Sequence, residues 1–126
     1  FDEQTGSRIL LIEDDYGNRV LFTDFLKYCG YTVMPLADGT DYLDAIATFQ
    51  PHVILLDIKL PRMSGLSILE TLQQHDQFRS IPVLVVSGYA FQSDRQKAMT
   101  LGATGYLTKP IQPEQLHQAI KAALPE

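Results

Sequence analysis

The sequence predicts an α/β protein built on a doubly wound parallel sheet, and three observations carry that prediction. Short apolar runs recur without internal alternation, segments with helical spacing lie between them, and the strand–helix pair repeats five times. Continuous apolarity over four residues suits a strand covered on both faces. Strands joined by crossover helices form a parallel sheet held between two helical layers.

The elements follow in order. The first run is Ile9-Leu10-Leu11-Ile12, and after it Leu21, Phe25 and Tyr28 recur at helical spacing, with Gly30 placed as a C-terminal stop. Tyr31-Thr32-Val33-Met34 reads as a weaker strand, followed by a helix on Tyr42, Ile46 and Phe49 that Pro51 closes. Val53-Ile54-Leu55-Leu56 is the third strand, and Ile68, Leu69 and Leu72 mark a helix after Gly65. Val83-Leu84-Val85-Val86 leads to a helix from about Ser93, a candidate N-cap, to Leu101, with Gly102 as its stop. Thr104-Gly105-Tyr106-Leu107 is the last strand. The final helix carries Leu116, Ile120 and Ala123, with Pro113 and Glu114 in its first turn.

A chain of 126 residues fits one domain, which by size buries roughly two-thirds of its unfolded surface. It needs no disulfide or structural metal. The single Cys29 cannot form an internal bridge, which points to a reducing compartment and a cytoplasmic setting. No apolar run approaches the roughly 20 residues that span a bilayer, and no signal peptide pattern opens the chain. A net charge of −5 argues against direct nucleic acid binding. Residues 1–7 are polar and patternless, a tail or linker. The start on Phe1 rather than Met points to a segment of a longer chain or a processed product.

In a doubly wound sheet, ligands bind beyond the carboxyl ends of the strands. Those positions hold Glu13-Asp14-Asp15, Asp57, Ser87-Gly88 and Thr108-Lys109-Pro110. Asp15 reads most simply as a helix N-cap. Glu13, Asp14 and Asp57 together do not, because three neighbouring carboxylates repel unless a cation holds them. An all-oxygen donor set without His or Cys suits Mg²⁺.

The four stretches ILLIEDD (9–15), VILLDIKLPRMSG (53–65), VLVVSGYA (83–90) and GYLTKP (105–110) stand in one order and spacing. In them the chain resembles the receiver domains of two-component response regulators, over residues 8–124. The resemblance implies a flavodoxin-like (βα)5 sandwich with strand order 2-1-3-4-5. It implies that Asp57 is the phosphoacceptor, taking a phosphoryl group from a histidine kinase or a histidine phosphotransfer protein. Glu13, Asp14 and Asp57, with the backbone carbonyl of Lys59, match the Mg²⁺ ligands. Lys109 matches the lysine that pairs with a phosphoryl oxygen, and Ser87 the hydroxyl that bonds another. Glu13 and Ser87 stand where many members carry Asp and Thr. The Lys109–Pro110 bond matches the family's cis peptide, and Pro61 and Gly65 its following loop and helix start.

Tyr106 occupies the family's switch position, although a strand aromatic packed on its neighbours is the alternative. Residues 92–124 then form the expected readout face, for an effector domain or a homodimer. Thr104-Gly105 departs from the acidic pair that many DNA-binding relatives carry there. Lys59 and Tyr89, each two residues beyond a site residue, are placed to obstruct hydrolytic water and prolong the phosphoryl state. His52, His75 and His117 read as surface or strand-start residues, Cys29 as core, and Arg95 and Lys97 as solvated charges or partner contacts. Two other classes fit less well. An aspartyl-phosphate phosphatase needs a second acid where Lys59 stands, and a receiver that works without phosphorylation usually lacks one of the positions present here.

Overall fold

Five strands alternate with five helices in the computed structural model, which describes residues 6–88 and 92–124. They are β1 (Arg8–Ile12), α1 (Tyr16–Tyr28), β2 (Thr32–Leu36), α2 (Tyr42–Phe49), β3 (Val53–Leu56), α3 (Gly65–Gln73), β4 (Val83–Ser87), α4 (Gln92–Thr100), β5 (Gly105–Thr108) and α5 (Pro113–Ala123). All neighbouring strands are parallel, in the order β2-β1-β3-β4-β5 expected from the resemblance.

The continuous apolar runs follow from burial on both faces. Successive strand side chains point to opposite sides of a sheet. Leu10, Ile12, Ile54, Leu56, Val83 and Val85 face one core with residues of α2, α3 and α4. Ile9, Leu11, Val53, Leu55, Leu84 and Val86 face the other, with residues of α1 and α5. Fully burying each such side chain stabilises by about 1.5–3 kcal/mol, so an alternating strand would forfeit half of that. Pro35, which has no N–H to give a ladder, is tolerated because β2 lies at the sheet edge.

Helix ends follow local chemistry. The Asp15 carboxylate caps α1 by accepting from the Asn18 N–H at 2.8 Å, as its place after β1 suggested. At the other end, Gly30 adopts φ 101°, its N–H donates to the Lys27 carbonyl, and the Tyr31 N–H donates to that of Leu26. This pair of bonds closes the last turn in a form that glycine adopts without steric cost. Pro113 opens α5, and Gln115 accepts from the Gln112 N–H ahead of it.

Three expectations need correction. On α1 the buried apolar stripe is Phe22 and Leu26, continued by the C-cap Cys29, while Leu21 and Tyr28 face solvent and Phe25 is half-buried. Apolar residues occupy two phases of this helix, and only its docking on the sheet selects between them. Ser93 lies inside α4, which already begins at Gln92. His117 is buried rather than on the surface, edge-on to Tyr31 with ring centroids 5.3 Å apart and to Phe25 at 6.3 Å. His52 does sit at a strand start, where its Nδ1 accepts the Arg8 N–H at 2.9 Å, and Cys29 is fully buried. Among the described residues, no helix is long and apolar enough to cross a membrane.

Both His52 and His117 are held below their ordinary pKa of 6.5, first by burial and then by the charges of Arg8 and Lys121 respectively. At higher pH both are neutral, folded or unfolded. As pH falls through 6.5 the unfolded imidazoles take up protons that the folded ones resist, so stability is lost in that direction. A His52→Asn, His117→Phe variant keeps an acceptor for Arg8 and an aromatic ring. Its melting temperature should fall less steeply than wild type between about pH 7 and 5; parallel curves would rule out both histidines as the cause.

Candidate functional site

Parallel register decides which side chains meet beyond the strand ends. Ile12 pairs with Leu56, so the next residues, Glu13 and Asp57, leave the sheet side by side. The ladder runs one step past both strands: the Asp57 N–H donates to the Ile12 carbonyl at 3.1 Å, and the Glu13 N–H to that of Leu36 at 3.0 Å. On the other flank Ser87 pairs with Thr108, and the Lys109 N–H donates to the Ser87 carbonyl at 2.8 Å. Residues up to 96 positions apart in sequence are thereby brought to one edge.

Glu13 and Asp57 are 2% and 6% exposed, whereas Asp14 faces solvent. The Lys109 ammonium lies 2.7 Å from Glu13 Oε1 and 2.9 Å from Asp57 Oδ2. Asp57 Oδ1 accepts the Lys59 N–H at 3.2 Å. Burial pushes the Glu13 carboxyl above its ordinary range, against hydrogen bonds from Lys109 and the Asp15 amide. Burial would also depress the Lys109 ammonium, but its hydrogen bonds to Glu13 and Asp57 outweigh that and its pKa stands raised. Two buried carboxylates therefore share one ammonium, with the exposed Asp14 beside them. Glu13, Asp14 and Asp57 can each bring an oxygen within 4.8 Å of the others, an arrangement that fits a metal ion. The cluster opens on a cleft lined by Asp14, Asp57, Lys59, Leu60, Pro61 and Gly88.

The loop after β3 is fixed by close packing. The Gly65 N–H donates to the Ile58 carbonyl at 2.6 Å, and a Cβ at Gly65 would run into the carbonyl oxygen of Asp57. Ser64 caps α3 by accepting the Leu66 N–H, and Leu60 is buried beneath the loop. The side chain of Lys59 is exposed at the cleft. Tyr89, its expected counterpart, lies outside the described residues.

Ser87 and Tyr106 are buried at 1% and 5% exposure, and their hydroxyls are hydrogen-bonded. Arg95 and Lys97 are both exposed, as expected of solvated charges, and the Arg95 guanidinium also lies over the Tyr106 ring, 5.7 Å from its centroid. The Lys109–Pro110 peptide is cis.

Two features escaped the sequence reading. Arg19 reaches back from α1 to the carbonyls of Glu13 and Asp14, a contact that has no signature of its own. The outward face of α1 carries Tyr16, Val20, Leu21 and Tyr28, all exposed. The surplus of apolar positions in α1, more than one buried stripe requires, was the available signal.

Comparison with known proteins agrees with this geometry. Residues 9–121 match the response regulator receiver domain family. The polar-differentiation response regulator DivK of Brucella anthropi is 33% identical over 116 residues, covering 92% of this chain and 94% of its own. The chemotaxis protein CheY4 of Vibrio cholerae superposes with a TM-score of 0.89 at 27% identity, covering 95% of this chain and all of its own. The receiver domain of the sensor histidine kinase PA1611 of Pseudomonas aeruginosa, solved with a magnesium ion in its active-site cleft, gives 0.85 at 28% identity, covering 94% of this chain and 98% of its own. A five-stranded parallel sheet with a carboxylate cluster on its carboxyl edge, and a family match across nearly its whole length, place this chain among the receiver domains of two-component response regulators.

Proposed function

We propose that Asp57 is the phosphoacceptor of this receiver domain and that Glu13, Asp14 and Asp57 hold Mg²⁺, with the Lys59 carbonyl as a further ligand. The observation that carries the reading is the shared ammonium. Lys109 contacts both buried carboxylates, and Asp14 adds a third at the open cleft. Oxygen donors with room for water suit Mg²⁺ over metals that seek nitrogen or sulfur. Bound there, Mg²⁺ would neutralise charge on the transferring phosphoryl group.

The chain's own groups would do the rest. An Asp57 carboxylate oxygen attacks phosphorus of a phosphohistidine; the O–P bond forms, the P–N bond breaks, and its electron pair returns to the imidazole. Lys109, already beside Asp57 Oδ2, stays within reach of a phosphoryl oxygen. Transfer of this kind depends on positioning and charge neutralisation. Residues 8–124 form the working unit, onto which Gly6 and Ser7 are also hydrogen-bonded. The buried thiol of Cys29 suits a reducing, cytoplasmic setting.

Phosphorylation adds about −1.5 to −2 charges and three acceptor oxygens. Ser87 is hydrogen-bonded to Tyr106, and its hydroxyl, which can both donate and accept, would turn its proton to a phosphoryl oxygen. One charge-assisted bond of this kind is worth about 1.5–3 kcal/mol, enough to shift a two-state equilibrium roughly ten- to a hundredfold. Tyr106 and Arg95 would relay that shift to α4, β5 and α5, toward an effector domain or a second copy. The exposed Lys59 side chain at the cleft supports slow hydrolysis of the acyl phosphate.

On the donor side, four exposed apolar side chains on α1 begin at Tyr16, two residues beyond Asp14. They support docking of the histidine-bearing kinase or phosphotransfer protein along this helix.

Incubation with Mg²⁺ and a small acyl phosphate should add one phosphoryl group by intact mass, and Asp57→Asn should abolish the gain. A wild-type protein that stays unmodified would overturn the phosphoacceptor reading. A Val20→Glu, Leu21→Glu variant should be phosphorylated by the small donor at the wild-type rate. Its transfer from a phosphohistidine protein should slow about tenfold or more, the cost of losing an apolar anchor worth about 1.4 kcal/mol. Equal slowing with both donors would place the defect in the site rather than in docking.

A further inference from the structure

The segment that carries two of the three clustered carboxylates is held from behind by a side chain outside the cluster. Beyond β1 the chain leaves the sheet at Glu13, and the next two carbonyls have no strand to pair with. Arg19, half-buried in α1, supplies the donor: one nitrogen, Nη1, lies 2.9 Å from the Glu13 carbonyl oxygen and 3.1 Å from that of Asp14. Its guanidinium rests 5.6 Å from the centroid of the Tyr16 ring. The same corner is tied elsewhere: the Asp15 N–H donates to Glu13 Oε2 at 3.0 Å, and the Asp15 carbonyl accepts from the Arg19 N–H at 2.9 Å.

The contact to Glu13 is half-buried and that to Asp14 exposed, and hydrogen bonds from an ionised donor are the stronger ones. Drawing two successive carbonyls to one nitrogen fixes the peptide units on either side of Asp14. The Cα–Cβ directions of Glu13 and Asp14 follow from those units. A charged side chain so close to a cation site also repels the cation, and the two effects have opposite signs. As a bare charge, Arg19 would weaken cation binding and its removal would tighten it. As a brace, its removal would weaken binding, because the two carboxylates would then have to be ordered at the moment of binding.

We infer that Arg19 is a positioning residue for divalent-cation binding, holding the Glu13 and Asp14 backbone so that their carboxylates stand ready beside Asp57. Its hydrogen-bonding nitrogen is committed to the two carbonyls, and its stacking on Tyr16 holds it there. The inference rests on the reading of the carboxylate cluster as the Mg²⁺ site and assigns no chemical step to Arg19.

The test compares wild type, Arg19→Met, which keeps the aliphatic stem, and Arg19→Lys, which keeps the charge. Mg²⁺ affinity is read by calorimetric titration and checked by the paramagnetic resonance of free Mn²⁺; melting temperatures are read without cation. Arg19→Met should weaken Mg²⁺ binding about tenfold, a change of about 1.4 kcal/mol, and Arg19→Lys should recover part of it. Phosphorylation of Arg19→Met by a small acyl phosphate should return to nearly the wild-type rate at saturating Mg²⁺, because the defect lies in affinity. Tyr16→Ala, at a side chain 71% exposed, should weaken binding to a smaller degree with the fold intact, which covers the case of an unfolded Arg19→Met. Unchanged or tighter binding by Arg19→Met, beside a wild type that binds Mg²⁺, would overturn the positioning role. A wild type that binds no Mg²⁺ would instead overturn the metal-site reading.

Discussion

The ammonium of Lys109 lies between two carboxylates that are almost fully buried, 2.7 Å from one and 2.9 Å from the other. Removing like charges from water beside one another is costly, and a single ammonium shared by the two offsets it only in part. That residual negative charge is what the strand ends, the loop after β3 and the corner before α1 are arranged to hold. The same imbalance, with three carboxylate oxygens within 4.8 Å of one another at a cleft, makes an arrangement that fits a metal ion.

The sheet can carry this imbalance because its interior is otherwise apolar. The strand side chains divide between two cores, one with α2, α3 and α4 and the other with α1 and α5. Among the described residues, the buried polar groups Glu13, Asp57 and Ser87 stand where the strands stop, and Thr23 and His117 lie on the helices. The close approach of Gly65 to Asp57 and the reach of Arg19 to the Glu13 and Asp14 carbonyls are ways of fixing backbone where the ladder no longer does so. From the cluster, Ser87 and Tyr106 lead by a buried hydrogen bond to Arg95 on α4, so one edge of the sheet connects to one helical face.

Much of this was legible in the residues. Three unbroken apolar runs, with two weaker ones, marked strands because burial on both faces leaves no polar position to interrupt them. The acids, hydroxyl and lysine directly after those runs marked the site, because every strand of a parallel sheet ends on the same side. The phase of α1 was not legible: Leu21 and Leu26 are equally apolar, and only the second packs against the sheet. Nor was the setting of His117, whose ring is enclosed by Phe25 and Tyr31 from other elements. Nor was the contact of the exposed Arg95 with the Tyr106 ring, which the docking of α4 on β5 brings together.

The sequence by itself determined the class of fold, the strand–helix alternation, and which residue types stand at the carboxyl ends of the strands. These are local properties, set by burial pattern, capping residues and spacing along the chain. Tertiary structure alone decided that Lys109 bridges Glu13 and Asp57, that Arg19 turns back onto the backbone of two acidic residues, and that the apolar stripe of α1 around Tyr16 and Leu21 faces outward. Each depends on the register and docking of segments distant in sequence. Those are settled by packing of the whole core, and neighbouring residues carry no record of them.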